Sequence, residues 1–340
     1  MADQGPIFSI RGLGTVEKLG KDGLTDLARQ VEDAGFDMVW AGNDFLEAGG
    51  LVSLTVMLMA TERLTVGSGV LEPVTIHAGQ IAQYASALQT LSGGRFVLGL
   101  GAGSEVLFRR ASIPFDRPVP RTREALAAIR ALTRGEDLSR LTDAGGPWSP
   151  VARLEHPHEV PIYIGAMGPK MLELAGRRAD GVLSLSLPPS YVFEVMKHVK
   201  TGADKAGRDM SEIDVVAGLW CGVSSEPDEA RAMLRHHIAI TSGALSTDAL
   251  LASGLDPEEF AHVQSLVDAD RLDDAIAAVT PSMMTLGVVG GPTEIIDQCG
   301  RLLESGVRHL SFGTPLARDK REAIHLLGSR VLPELRRAFG

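Results

Sequence analysis

The sequence predicts an α/β protein of the (β/α)8 TIM-barrel class, with insertions after strands 4 and 7. Short, β-rich apolar runs alternate with amphipathic helical patterns along nearly all of the 340 residues. This alternation indicates βαβ units and a parallel sheet, which right-handed crossovers either close into a barrel or leave open and doubly wound. About eight such units and this chain length favour the barrel.

The predicted elements follow from apolar spacing, which repeats every second residue in strands and every three to four residues in helices. The strand candidates are residues 38–40, 64–66, 96–98, 162–164, 181–183, 213–219 and 307–312. The helix candidates are residues 24–31, 51–60, 81–88, 123–133, 296–303 and 324–335, with two more beginning near Lys170 and Tyr191.

Two regions do not fit the repeating units. Residues 108–121 and 135–158 are rich in proline, glycine and charge and lack strong periodicity, whereas residues 226–284 hold several helical patterns after the seventh strand. Insertions that follow barrel strands form the rim and lid of the active site. Neither a linker nor an internal repeat is visible, so we expect one domain over residues 1–340.

Composition restricts the function classes. The net charge of −10 argues against nucleic acid or an anionic membrane as the main partner. No apolar run approaches the roughly 20 residues of a membrane span, and the start MADQGPIFSIRG lacks a signal-peptide pattern. Cys221 and Cys299 lie far apart without metal-ligand spacing. We therefore expect a cytoplasmic protein without a metal site.

Glycines gather at the ends of two predicted strands, in TVGSGVLEP (residues 65–73) and SGGRFVLGLGAG (residues 92–103). Glycines there either allow a planar ligand to lie on the backbone or simply turn the chain. Gly99, Gly101 and Gly103 resemble part of a dinucleotide fingerprint, but the third glycine is misplaced. The prolines after Ser104 also argue against a helix at that point, so a Rossmann fold is disfavoured.

A third segment, IYIGAMGPK (residues 162–170), ends a strand in small residues and places Pro169 where a first helical turn should begin. Backbone amides at a helix N-terminus bind anions without needing basic side chains. The segment therefore predicts either a phosphate site or an ordinary strand-to-helix turn.

Four segments together resemble the luciferase-like monooxygenase superfamily: TERLTVGSGV-EP, SGGRFVLGLGAG, IGAMGPKMLELAGRRADGV and GVRHLSFGTP. The sequence is most similar to the coenzyme F420-dependent branch, typified by methylenetetrahydromethanopterin reductase. The resemblance implies a TIM barrel, commonly homodimeric, with a flavin or deazaflavin ring in the barrel mouth. Gly69-Val70 corresponds to the position of a non-prolyl cis peptide behind the ring, and residues 166–168 to the loop that holds the cofactor phosphate.

Carried over residue by residue, the resemblance implies a cofactor-binding set distributed over four strand ends. The set comprises Asn43, Ser68, Gly69, Val70, Gly101, Ala102, Gly103, Gly165, Ala166, Met167, Gly168, Pro169 and Lys170.

The flanking residues depart from the family pattern. Several deazaflavin enzymes have Asp-His after the second strand, where this sequence has Asn43-Asp44. Asp44 either transfers a proton or caps the next helix. An acidic residue often follows the GxG strand directly, but here Ser104 stands there and Glu105 comes one position later. Glu72 is unusual in its turn. Asp44, Glu105 and Glu72 are therefore the candidate catalytic residues.

The function implied by the resemblance is hydride transfer between F420 and a small organic substrate, because the cofactor carries the hydride and the protein positions it. The alternative is an FMN-dependent monooxygenase that uses reduced flavin and dioxygen. Fold analogy does not separate the two. A third hypothesis, from another class, is a non-catalytic flavin-binding protein, which the missing Asp-His pair keeps open.

Overall fold

A computed structural model describes residues 5–245 and 247–340, apart from the side chains of Arg140, Asp248, Ala249 and Ala252. Within these ranges the strands are β1 (Ile7–Arg11), β2 (Met38–Ala41), β3 (Thr65–Ser68), β4 (Phe96–Leu100), β5 (Ile162–Gly165), β6 (Gly181–Leu185), β7 (Asp214–Val223), β8 (Gly287–Gly290) and β9 (His309–Leu316).

The α-helices lie between and after these strands, in the alternation that the sequence predicts. They are α1 (Val16–Asp33), α2 (Gly50–Ala60), α3 (Ala78–Ser92), α4 (Glu105–Arg110), α5 (Pro118–Arg134), α6 (Pro169–Arg178), α7 (Val192–Ala206), α8 (Pro227–Thr241), α9 (Thr247–Ala252), α10 (Pro257–Asp268), α11 (Leu272–Ala278), α12 (Pro292–Glu304), α13 (Lys320–Leu326) and α14 (Leu332–Phe339).

Close contacts group the chain into two compact units. The first unit comprises Ser9–Ser184 and Val195–Val216, and the second comprises Leu185–Glu194, Ala217–Gly340 and the described residues up to Phe8. In the first unit, strands β1 to β6 are neighbours in chain order, and the start of β7 lies beside β6. In the second unit the order is β9-β7-β8, and the start of β1 lies beside β9. This is the strand order of the predicted (β/α)8 TIM barrel, with β8 added beside β7.

The inner face of the first unit is filled by large side chains. Met38 and Trp40 of β2 pack with Val97 and Val216, and Tyr163 lies against the same cluster. The Trp40 indole Nε1 donates a hydrogen bond of 3.2 Å to the buried Ser9 hydroxyl. The strands therefore surround a packed core and leave their carboxyl ends for the site.

Four sequence expectations need correction. β1 and β8 were not predicted, because each is a short apolar run without a clear alternating pattern. A helix, α4, does follow Ser104, whose hydroxyl caps it by accepting from the Leu107 amide (3.5 Å). Helix α5 begins at Pro118, inside the stretch 108–121 that lacks periodicity, because proline is well tolerated in a first helical turn. The insertions after β4 and β7 are confirmed.

Arg95 joins the amino-terminal ends of β3 and β4. It follows Gly93 and Gly94, whose positive φ angles (63° and 95°) end α3 and reverse the chain. Its guanidinium group donates to the Thr61 hydroxyl (3.2 Å) and to backbone carbonyls. These carbonyls are those of Leu58 (2.9 Å), Thr61 (3.0 Å), Leu64 (2.8 Å) and Ser92 (3.0 Å).

Opposite Arg95, the Glu32 carboxylate accepts the three consecutive amides of residues 62–64 at 2.6 to 2.9 Å. These hydrogen bonds lower the pKa of Glu32, against the opposing effect of its burial. Two charged side chains therefore fix the turn that leads into β3.

At the edge of the second unit, the side-chain amide of Gln298 on α12 pairs with strand β8. It accepts from the Val289 amide (3.1 Å) and donates to the Val289 carbonyl (2.9 Å). The side chain thus makes the two hydrogen bonds that a neighbouring strand would make.

No described helix is both long enough and apolar enough to cross a membrane.

Arg95→Ala should lower the free energy of unfolding by about 2–4 kcal/mol, because several backbone carbonyls lose a charged donor at once. Urea unfolding followed by circular dichroism measures the change. The control is Arg63→Ala, which removes an exposed arginine from the same turn and should change stability by less than about 0.5 kcal/mol. Equal effects of the two substitutions would contradict the bridging role of Arg95.

Candidate active site

The carboxyl ends of β3 and β4 are joined by Ser68. Its buried hydroxyl donates to the Gly99 carbonyl (3.0 Å) and accepts from the Gly99 amide (2.9 Å). A methyl group at Gly99 would overlap the Ser68 carbonyl oxygen. Ser68 belongs to the predicted cofactor-binding set, and its hydroxyl is engaged between the two strands.

Val70 occupies the space in front of two neighbouring strand ends. The Gly69-Val70 peptide bond is cis. A Cβ atom built on Gly101 or on Gly165 would lie 2.7 Å from a Val70 methyl group. The Val70 side chain therefore lies where side chains of Gly101 and Gly165 would otherwise project. Any ring that binds there meets the Val70 side chain.

Glu72 is buried, with 3% of its surface exposed, and braces its own turn. Its Oε2 accepts from the amides of Val74 (2.6 Å) and Thr75 (2.9 Å), and its Oε1 accepts from the Thr75 hydroxyl. Its Cγ atom lies 3.1 Å from the Cβ position of Gly103, so these two predicted residues are neighbours. Because the carboxylate accepts three hydrogen bonds from its own turn, Glu72 stabilises that turn and is not an accessible acid.

The strand end of β4 turns into α4 at Gly103, which has a φ of 80°. A side chain there would overlap the Phe108 ring, so glycine lets α4 pack closely against the turn. The Phe108 ring in turn packs against Phe45 (6.0 Å between centroids) and Phe115 (6.1 Å). Glu105 lies outside this cluster, exposed to solvent and paired with Arg109 at 3.0 Å.

Two roles were predicted for Asp44, proton transfer and capping of the next helix. The structure gives the support of that helix to Asn43 instead. Asn43 Oδ1 accepts from the Gly50 amide (3.0 Å) at the start of α2, so Asn43 supports the helix and the capping prediction for Asp44 is wrong. The Asp44 carboxyl makes no side-chain hydrogen bond with any described residue. Desolvation, and next the charge of Glu47, raise its pKa, while Lys18 opposes the rise. Asp44 is therefore the one of the three candidate carboxylates that is exposed and has no hydrogen-bond partner among the described residues.

The segment after β5 begins α6 as predicted, with Gly168 at the N-cap and Pro169 at the first position. The Ala166 amide donates to the Leu183 carbonyl (3.1 Å), so it is not available to a phosphate as the resemblance implied. The amides of Gly168 and Lys170 make no hydrogen bond with the described part of the chain. Both residues are exposed, and the space in front of Gly168 is open.

Arg11, at the carboxyl end of β1, was not among the residues that the sequence predicted. It ends β1 and lies on the same strand face as Ser9, two residues earlier. Burial lowers the pKa of its guanidinium group to about 10, so the group stays charged at neutral pH. In the sequence, only the short apolar run Ile7–Ile10 indicates the strand that carries Arg11. Such a run is too short to be distinguished from a loop.

Gly101→Ala should cost about 1–3 kcal/mol of stability, because the new methyl group overlaps the Val70 side chain. Val70→Ala in the same chain should restore most of this loss by removing the clashing methyl groups. Thermal unfolding of the two single variants and the double variant gives the coupling. Additive losses in the double variant would contradict this packing.

Comparisons with known proteins agree in fold and family. The family model described as luciferase-like monooxygenase matches residues 10–309. The 5,10-methylenetetrahydromethanopterin reductase of Methanolobus tindarius is 32% identical over 315 residues, covering 91% of this chain and 95% of that protein. The F420-dependent glucose-6-phosphate dehydrogenase of Nakamurella multipartita is 31% identical, covering 96% of both.

Among solved structures, the coenzyme F420-dependent tetrahydromethanopterin reductase of Methanopyrus kandleri superposes with a TM-score of 0.87 at 26% identity. The match covers 98% of this chain and 100% of that one. The matched range, the identities and the shared barrel lead to one conclusion: this chain belongs to the luciferase-like monooxygenase family and is an oxidoreductase with the TIM-barrel fold.

Proposed function

We propose that this enzyme transfers a hydride between coenzyme F420 and a small organic substrate. The observation that carries the proposal is that a ring platform and an open helix N-terminus occur together in the first unit. Val70 lies in front of the ends of β4 and β5, and only three residues separate the end of β5 from the start of α6. A deazaflavin joined to a phosphate needs both features. The relatives whose names specify F420 add support.

The residues present fit such a cofactor. The ring would lie against Val70, next to Ala102 and Gly103, while the phosphate would take the amides of Gly168 and Lys170. Both of these residues are exposed, and nothing described fills the space in front of Gly168. The Lys170 side chain is also exposed and adds a positive charge to this helix end. Anion binding by backbone amides suits a protein with a net charge of −10.

When bound, F420 supplies the two-electron hydride chemistry. The chain itself positions the ring and handles the accompanying proton. Asp44 is suited to that proton because its carboxyl has no hydrogen-bond partner among the described residues and its pKa is raised. The carboxylate of Glu72 is held by its own turn, and Glu105 is exposed and ion-paired, so neither is the proposed acid.

Titration of the purified full-length chain with F420 and, separately, with FMN tests the cofactor assignment. We expect saturable binding of F420, followed by its fluorescence, and much weaker binding of FMN. Tight binding of FMN without affinity for F420 would overturn the proposal in favour of the monooxygenase. Bound F420 that none of the compounds named next reduces or oxidises would exclude those compounds as substrates. Suitable first substrates are glucose 6-phosphate, methylenetetrahydromethanopterin and small alcohols, with the F420 redox state read by absorbance.

Asp44→Asn should lower kcat by about 10²- to 10⁴-fold, because it removes the proton-transferring carboxyl while keeping its shape. The dissociation constant of F420 should stay within about twofold of that of the unmodified enzyme. Glu105→Gln is the matched control, since it neutralises another carboxylate near the site, and should leave kcat within about twofold. A fully active Asp44→Asn enzyme would remove Asp44 from the mechanism.

We also propose that the enzyme is a homodimer that pairs through α2. The sequence of this helix, GLVSLTVMLMA, contains no charged residue, although one side of it faces solvent. Val52 and Met59 are exposed (56% and 65%) and lie seven residues apart on one stripe. A surface helix without a polar face needs an apolar partner. A second copy of the same face, related by a twofold axis, satisfies this need.

The double substitution Val52→Lys, Met59→Lys should convert the dimer into a monomer, as measured by sedimentation velocity. Charges at the centre of an apolar interface carry a desolvation cost, whereas the same residues on a free surface change stability little. Val151→Lys, at another exposed apolar position (71%), is the control and should leave the mass unchanged. A monomeric unmodified protein, or a dimer that survives the double substitution, would refute this pairing.

A cytoplasmic location completes the proposal. Cys221 and Cys299 are buried free thiols, and burial raises the pKa of both. Reduced, unpaired cysteines are typical of that compartment.

A further inference from the structure

A cavity of about 610 Å³ lies in the second unit, beside β8. Its walls come from three parts of the chain: the segment that follows β6, the turn that precedes β8, and the later half of α12. None of its lining residues belongs to the predicted cofactor-binding set or to the three candidate carboxylates. Its volume falls in the range of about 300–1,000 Å³ that is typical of sites for small organic ligands.

The body of this cavity is apolar. The apolar side chains that line it include those of Pro188, Pro189, Phe193, Met284 and Leu302. Phe193 keeps 40% of its surface exposed, although it is aromatic. An aromatic ring that is left in solvent at the wall of a cavity can gain burial from an apolar ligand. The walls therefore favour the hydrocarbon part of a ligand.

Three polar side chains at the cavity are already used within the protein. The Gln298 amide donates both of its hydrogens to backbone carbonyls, at 2.9 and 2.8 Å. The hydroxyls of Thr285 and Ser305 donate to carbonyls three and four residues earlier, at 2.7 and 2.8 Å. A ligand would have to break these hydrogen bonds to receive a proton from any of the three groups. They therefore do not determine which polar group the cavity accepts.

Arg301 of α12 is the charged residue at this cavity. Its side chain is exposed, and its guanidinium group forms no ion pair or hydrogen bond with any residue in the described ranges. Asp297 and Glu304 lie four positions before it and three after it on the same helix, where an ion pair could form, but neither pairs with it in the described chain. The planar fork of N–H donors in a guanidinium group matches a carboxylate.

We propose that this cavity binds a small organic carboxylate with an apolar body. Its carboxylate would pair with Arg301, and its hydrocarbon part would lie against Phe193 and the neighbouring prolines. A neutral apolar ligand would leave the guanidinium group without a partner, and a small inorganic anion would leave the apolar walls in water. In a protein with a net charge of −10, a local unpaired cation is what admits an anion at this place. The proposal goes beyond hydride transfer and does not depend on F420 binding.

Isothermal titration calorimetry of the full-length protein without cofactor tests the site, with octanoate as the probe. We expect saturable binding of octanoate and at least about tenfold weaker binding of two matched compounds. These are 1-octanol, which keeps the chain without the charge, and acetate, which keeps the charge without the chain. Arg301→Gln should weaken octanoate binding at least about tenfold, whereas Arg301→Lys should retain most of it. Phe193→Ala should weaken it about three- to tenfold through the lost apolar contact.

Arg308→Gln is the matched control, because it removes an exposed arginine that does not line the cavity. It should leave the dissociation constant of octanoate within about twofold. Since Arg301 has no partner to lose, Arg301→Gln should also leave the Tm of the ligand-free protein unchanged. The proposal is overturned by the absence of saturable octanoate binding, by equal affinities for octanoate and 1-octanol, or by octanoate binding that survives Arg301→Gln undiminished.

Discussion

The contact between Val70 and the two glycines in front of it sets the geometry of the candidate site. The side chain of Val70 fits at the ends of β4 and β5 because Gly101 and Gly165 have no Cβ atom there. Three strand ends are therefore coupled by one aliphatic side chain. Since packed interiors tolerate added methyl groups poorly, a substitution at any of these positions must be accommodated at the others. The surface on which a ring would lie is thus the Val70 side chain packed against the backbone of Gly101 and Gly165.

The carboxylates around this platform differ in what their surroundings leave them free to do. Glu72 is the most buried of the candidates, yet its oxygens are used by donors of the same turn. Asp44 is more exposed, but its carboxyl has no partner in the described chain and its pKa is raised. Burial alone is thus a poor guide to acid–base chemistry. The hydrogen bonds already made by a carboxylate decide whether it can exchange a proton with a ligand.

Much of the fold could be predicted because periodic apolar patterns report which face of an element is buried. The strand alternation and the helical insertion after β7 followed from such patterns. The insertion after β4 was marked by the lack of any pattern, and the start of α6 by the position of Pro169. The division of roles between Asn43 and Asp44 could not be predicted, because adjacent polar residues look alike until the turn is known. Likewise, the sequence marks Gly101 as small but does not reveal that Val70, 31 positions earlier in the numbering, needs the space.

The pairing of Gln298 with β8 has a consequence for the behaviour of the protein in concentrated solution. An open strand edge can recruit a strand from another molecule and start aggregation. At Val289, however, the amide and the carbonyl that would pair with such a strand already form hydrogen bonds with the Gln298 side chain. An incoming strand would have to break these two hydrogen bonds of Gln298 before it could pair with Val289. A single side chain on a helix thus occupies hydrogen-bonding groups of this strand edge that another chain could otherwise use.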